Sequence, residues 1–240
     1  MPHRLTPIAA LCLLLTAGCT TVGASADRAA ASRELTAVQL RAAVLSDADL
    51  GAGYTVTVMK PPPGAVAADT GRETADVPAC QPVLDAVGQT NPAAGPLAET
   101  DLSVSSAAAP DAGVYAGLLA FQPGRAAQVQ EGLEKVLAQC TAFTSVSTGG
   151  KGVSAAHKGV RTKHRLARLD TPTPEGADGA TAFTLTNESA TGVLLQRALL
   201  TRTGTALAVF STVGSGQEQA PAPDDRIVRA QVAKLRTAQA

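Results

Sequence analysis

Five features of this 240-residue sequence have residue types that invite chemistry: Ser154 with His157, a further histidine at His164, the acid pair Asp47 and Asp49, the glycine loop Gly149-Gly150-Lys151-Gly152, and four cysteines. A hydroxyl three positions before an imidazole serves nucleophilic catalysis when a carboxylate orients the base, and no acid is placed to do so at Ser154-Ala155-Ala156-His157. The glycine loop holds a lysine but lacks the Ser or Thr that follows Gly-Lys in a phosphate-binding loop. Asp47-Ala48-Asp49 opens like a calcium loop, without its third oxygen ligand or terminal Glu. Asx-turn chemistry accounts for the same letters. Neither H-E-x-x-H, G-x-S-x-G nor S-x-x-K occurs, so the zinc-protease, hydrolase and penicillin-binding signatures are missing. The expectation is a protein with no catalytic residues, no metal site and no cofactor.

The densest run of charge is Lys158, Arg161, Lys163, His164, Arg165 and Arg168, with no acid among them. On a strand, Arg161, Lys163 and Arg165 share one face while Thr162, His164 and Leu166 take the other. Such a row suits anionic headgroups or wall polymers. The same letters also fit a solvated edge strand whose charges discourage aggregation. The chain as a whole balances 20 basic against 20 acidic side chains and has only six aromatic residues. Nucleic acid is therefore not an expected partner, since binding it rests on phosphate neutralisation and base stacking.

Arg4 precedes an almost wholly apolar run over residues 5–15, and Thr16-Ala17-Gly18-Cys19 follows directly. This is signal-peptide architecture, and the run is shorter than the ~20 apolar residues a spanning helix needs. Small residues before a cysteine at that place resemble the lipobox of bacterial lipoprotein precursors. The resemblance implies cleavage after Gly18 and a diacylglycerol on Cys19, which anchors the protein to the outer face of the cell membrane. It departs from the family at Thr16, where Leu is preferred, and Leu15 lies one residue further back. The rival is ordinary secretion with cleavage after Ala24-Ser25-Ala26. The expected division is a signal peptide over residues 1–18, a small, polar tether over 19–34, and one extracytoplasmic domain over 35–240.

With Cys12 in the signal and Cys19 lipidated, Cys80 and Cys140 remain, and an even pair in an exported domain suggests a disulfide. The helical period puts Cys80, Val83, Leu84 and Val87 on one face, and Val129, Leu133, Val136, Leu137 and Cys140 on another. The alternative is two unpaired buried thiols.

These residues need elements to position them. Thr36-Ala37-Val38-Gln39 is a capping box opening a helix over residues 37–45. Residues 54–59 alternate as a strand, and a short helix carries Cys80. Strands over 102–108 and 114–121 suggest a hairpin around Pro110-Asp111-Ala112-Gly113. Pro123 opens the longest helix, to about residue 139. Strands over 143–147, 160–169, 182–186, 193–201 and 205–213 follow, the last two turning at Thr203-Gly204. Asp224 or Asp225 caps a final helix that buries Val228, Val232 and Leu235. The expected fold is α+β: a single domain with an antiparallel sheet, helices packed mainly on one face, and one disulfide.

Leu45-Ser46-Asp47-Ala48-Asp49-Leu50-Gly51-Ala52-Gly53-Tyr54, then Ala79-Cys80-Gln81-Pro82-Val83-Leu84 and a helix ending at Cys140, resemble a group of actinobacterial lipoproteins. These are similar to the extracellular sensor domain of PknH-type kinases. The resemblance implies an α+β domain with a cleft that binds a ligand outside the membrane. With the lipobox-like sequence, the cysteine pair and the lack of a catalytic constellation, the expected function is a non-enzymatic lipoprotein domain that binds a small or extended ligand, or another envelope protein, there. One departure matters: that sensor domain carries two disulfides, and the mature chain, without Cys12 and with Cys19 lipidated, can form only one. A structural envelope protein docking on anionic wall polymer through Arg161, Lys163 and Arg165 is the alternative.

Overall fold

The computed structural model describes residues 33–59, 72–88, 95–148, 159–214 and 218–240. Nine strands form one sheet: β1 (Tyr54–Met59), β2 (Arg72–Ala75), β3 (Ala98–Ser106), β4 (Ala109–Ala120), β5 (Ala142–Thr148), β6 (Arg161–Leu169), β7 (Gly179–Ser189), β8 (Gly192–Thr203) and β9 (Ala206–Val213). Their order is β1-β3-β4-β9-β8-β7-β6-β5-β2, with antiparallel neighbours throughout. The helices are α1 (Ala37–Ala42), α2 (Asp47–Leu50), α3 (Gln81–Val87), α4 (Arg125–Leu137) and α5 (Asp225–Gln239). The expected signal peptide over residues 1–18, Cys19, most of the expected tether, the glycine loop, Ser154, His157 and Lys158 lie outside the described residues.

Local sequence explains most of these elements. Thr36 and Gln39 close the capping box of α1, and the Asp224 carboxylate accepts from the Arg226 amide at the start of α5. The β8–β9 hairpin turns at Gly204, whose φ of 55° is left-handed and suits glycine. The β3–β4 turn departs from expectation: it falls at Ala107 and Ala108, and Pro110 to Gly113 lie inside β4. The register opposing Leu102 with Ala116 and Val104 with Val114 places buried partners together, and that sets the turn. Pro110 is tolerated because β4 pairs with β9 only from Val114 onward.

The α+β class, the antiparallel sheet and the Cys80–Cys140 disulfide agree with the sequence reading. The helices, expected mostly on one face, divide between both faces of the sheet. Alternation along β9 makes this plain: Ala206, Ala208 and Phe210 join one core layer, while Leu207 and Val209 join the other. The first layer packs α1, α2 and α5 against β3, β4 and β9. The second packs α3 and α4 against the face that carries Phe143, Leu166, Phe183 and Leu200. The disulfide, with Cα atoms 5.8 Å apart, ties the start of α3 to the end of α4. The first described residue, Arg33, is bound at the other end of the fold, where Thr205 Oγ1 donates to its carbonyl.

Candidate functional site

The face carrying α3 and α4 has an apolar half beneath the helices and a polar half beyond them. Period-2 alternation builds the polar half, since the residue two places along from each buried one lies on the same face. Thus Leu185 leads to Asn187, Leu166 to His164, Phe143 to Ser145, Ala198 to Gln196 and Val209 to Ser211. Their side chains bond in sequence across neighbouring strands. Gln196 Nε2 donates to Ser211 Oγ at 2.7 Å, and Asn187 Nδ2 to Gln196 Oε1 at 3.5 Å. His164 Nδ1 lies 2.7 Å from Asn187 Oδ1, and Nε2 lies 2.7 Å from Ser145 Oγ. Ser145 Oγ in turn donates to Glu73 Oε2 on β2 at 3.0 Å.

At the Ser211 end the row opens into a cleft with about 50 Å³ of free space. Glu99 and Asp101 of β3, Tyr115 and Gly117 of β4, and Met59 of β1 form its floor, with the last turn of α3 above. Glu99 and Asp101 are two positions apart on one strand, so their carboxyls emerge on the same face. Gly117 stands directly opposite Asp101, and a Cβ there would lie 3.2 Å from Asp101 Oδ1. Glu99 is exposed as a residue and Asp101 half-buried, yet crowding removes water from both carboxyls. Desolvation, with the Asp101 charge adding to it, raises Glu99 to about 7. Desolvation alone raises Asp101 to about 6. Among the described residues neither carboxyl has a hydrogen bond or a salt bridge. Desolvated acids lacking a counter-charge form an electrostatically unfinished site, one that a positively charged group would complete.

The other end of the row has the distances of a nucleophile, base and orienting amide in Ser145, His164 and Asn187. Ser145 is wholly buried and His164 is 2% exposed, with Phe143 stacked on the imidazole at 4.6 Å between ring centroids. Glu73 Oε2 sits 3.7 Å from His164 Nε2 and bonds the hydroxyl, so no substrate carbon can approach Oγ. This network clamps β2, β5, β6 and β7 together. It does not form an active site in this arrangement.

Of the residues singled out in the sequence, Cys80 and Cys140 meet with an S–S distance of 2.16 Å. Arg161, Lys163 and Arg165 are exposed on one face of β6, and Thr162, His164 and Leu166 are buried on the other. The edge-strand explanation of that row is wrong, because β6 lies between β5 and β7. The sheet edges are β1 and β2, and β2 has no period-2 apolar signal in its sequence. Asp49 is occupied structurally: hydrogen bonds from Lys234 and from Ser46 hold its carboxyl down at about 2. Asp47 accepts from the Val56 amide. Sequence reasoning missed Glu99 and Asp101, although their alternation with Leu102 and Val104 carries the signal.

No protein-family model matches the sequence, and no curated protein matches it. Among solved structures, the extracellular domain of PknH from Mycobacterium tuberculosis matches with a TM-score of 0.52 at 14% identity, over 86% of this chain and 97% of that one. An uncharacterised protein from Mycobacterium smegmatis matches with a TM-score of 0.39 at 11% identity, over 86% of this chain and 98% of that one. The first likeness shows a shared fold.

Proposed function

We propose that this protein is an exported, non-enzymatic binding domain, anchored to the outer face of the membrane through a diacylglycerol on Cys19, whose cleft takes up a ligand bearing positive charge. The observation that carries the reading is the pair Glu99 and Asp101, crowded into one cleft without a cation among the described residues. Two carboxyls that give up water without gaining a partner cost the fold stability, and a ligand cation would offset that cost. Tyr115, which lines the same cleft and is 47% exposed, supplies an aromatic ring for the same cation. The lipobox-like sequence and the fold shared with an extracellular domain both fit a site facing outward. The Ser145 hydroxyl is sealed, which fits binding in preference to turnover.

The test is mass spectrometry of the protein isolated from its own envelope, first native and then denatured. The expected result is an extra mass lost on denaturation, absent from Asp101→Asn, with the denatured mass carrying the diacylglycerol. A native mass equal to the denatured mass, or a captured ligand that Asp101→Asn retains, would overturn the cleft. Cys19→Ser should release the protein from the membrane fraction, and its retention there would overturn the anchor.

A further inference from the structure

The second open surface lies on the opposite face of the sheet. There α1, α2 and α5 cover the end formed by β1, β3, β4, β9 and β8. Past the buried Ala182 of β7, the described residues on that face of β7, β6, β5 and β2 are half-buried or exposed. Arg161, Lys163 and Arg165 stand on it in single file along β6, all exposed. Alternate residues of a strand are about 6.6 Å apart, so the three charges form a regular ladder. Lys163 is opposite Thr144 of β5 and Glu188 of β7, and Arg165 is opposite Thr186. Arg197 of β8 follows on the same face, opposite Thr184. Among the described residues none of the three cations of the row forms a salt bridge or a side-chain hydrogen bond. Even with Glu188 opposite Lys163, this is a local excess of cations in a chain of zero net charge, with threonine hydroxyls beside it.

We propose that this row is a docking surface for a linear, phosphate-bearing polymer. Charge complementarity selects the anion, since exposed guanidinium and ammonium groups with threonine hydroxyls beside them are phosphate-binding chemistry. The shape of the face selects a narrow chain over a lipid plane. Helix α5 packs over β8 and β9, two and three strands from the row, and a helix is about 10 Å across, so a flat bilayer would meet α5 before it reached the row. A single polymer strand would not be held off in this way. The site is independent of the acidic cleft, which opens on the other face.

The test is binding of the intact protein to immobilised inorganic polyphosphate over a series of salt concentrations, with anionic phosphatidylglycerol vesicles as competitor. Arg161→Gln with Arg165→Gln removes two of the three charges. Arg168→Gln removes one charge from the same strand outside the row, and the melting temperature of each variant verifies its fold. Three phosphate contacts on a single-stranded polyanion predict a slope of log affinity on log salt of about −2, falling to about −0.7 in the double variant. The single variant at Arg168 should bind like the unaltered protein. Three results would overturn the proposal: no polyphosphate binding at low salt, equal weakening by Arg168→Gln, or vesicles displacing the polymer completely.

Discussion

Asp101 occupies the space that the missing side chain of Gly117 leaves. The two residues face each other across β3 and β4, and a Cβ at position 117 would lie 3.2 Å from Asp101 Oδ1. That is closer than ordinary packing, so a side chain at 117 displaces the Asp101 carboxylate by at least a few tenths of an ångström, and the route left to it is away from the sheet. Gly117→Val is expected to fold, because a β-branched residue suits a strand. In the variant the Asp101 carboxyl, raised to about 6 in the native protein, should titrate closer to an ordinary aspartate. Carbon-detected NMR of the carboxyl reads this directly, and an unchanged titration would sink the packing argument.

The raised carboxyls also set a pH dependence. A group with a higher pKa in the folded state keeps protons that the unfolded chain has released, so stability falls as pH rises between the two values. For Glu99 the window runs from its ordinary 4.5 to about 7, and for Asp101 from 3.8 to about 6. Glu99→Gln removes the larger window. The variant should therefore melt at a higher temperature than the native protein at pH 8, with the gap closing as pH falls to 4. An equal gap at both pH values would show that Glu99 is not the titrating group. A cationic ligand should narrow the gap at pH 8, because it stabilises the charged pair.

How much of this was legible in the sequence depends on whether the determining contacts are local. The capping residues Thr36 and Asp224 and the alternation of Arg161 to Leu166 are local patterns, and they read correctly. Strand β2 lacks an apolar repeat. Its place is fixed by Gln81, whose side chain bonds both the Ala75 amide and the Glu73 carbonyl. The turn of the β3–β4 hairpin followed core register at Leu102 and Val104 in preference to the proline-glycine letters at 110–113. The cleft and the histidine clamp depend on residues that folding brings together, as with Glu73 and Ser145, 72 positions apart.

That histidine clamp predicts a cost for breaking it. Asn187→Leu leaves the buried His164 Nδ1 without its partner, and an unsatisfied buried polar atom costs about 1–3 kcal/mol. Ser145→Ala removes the bond at the other ring nitrogen and one bond to Glu73. Because the two changes share one imidazole, their combined cost in urea melts should depart from the sum of the separate costs. Strict additivity would indicate that His164 does not couple them.

The disulfide has a further consequence, because it links the stability of the fold to the shape of the cleft. Cys80 and Cys140 close a separation of 60 residues, for which the loop-entropy model gives on the order of 4 kcal/mol. They also fix the start of α3 to the end of α4, and the far end of α3 roofs the cleft above Glu99 and Asp101. Cys80→Ser should therefore lower the melting temperature and also weaken ligand capture, even below the melting transition. Reductant should reproduce both effects in the native protein and change neither in the variant. If the melting temperature fell while capture stayed intact, α3 would be held over the cleft by its apolar face, through Val83 and Leu84, without help from the covalent bond.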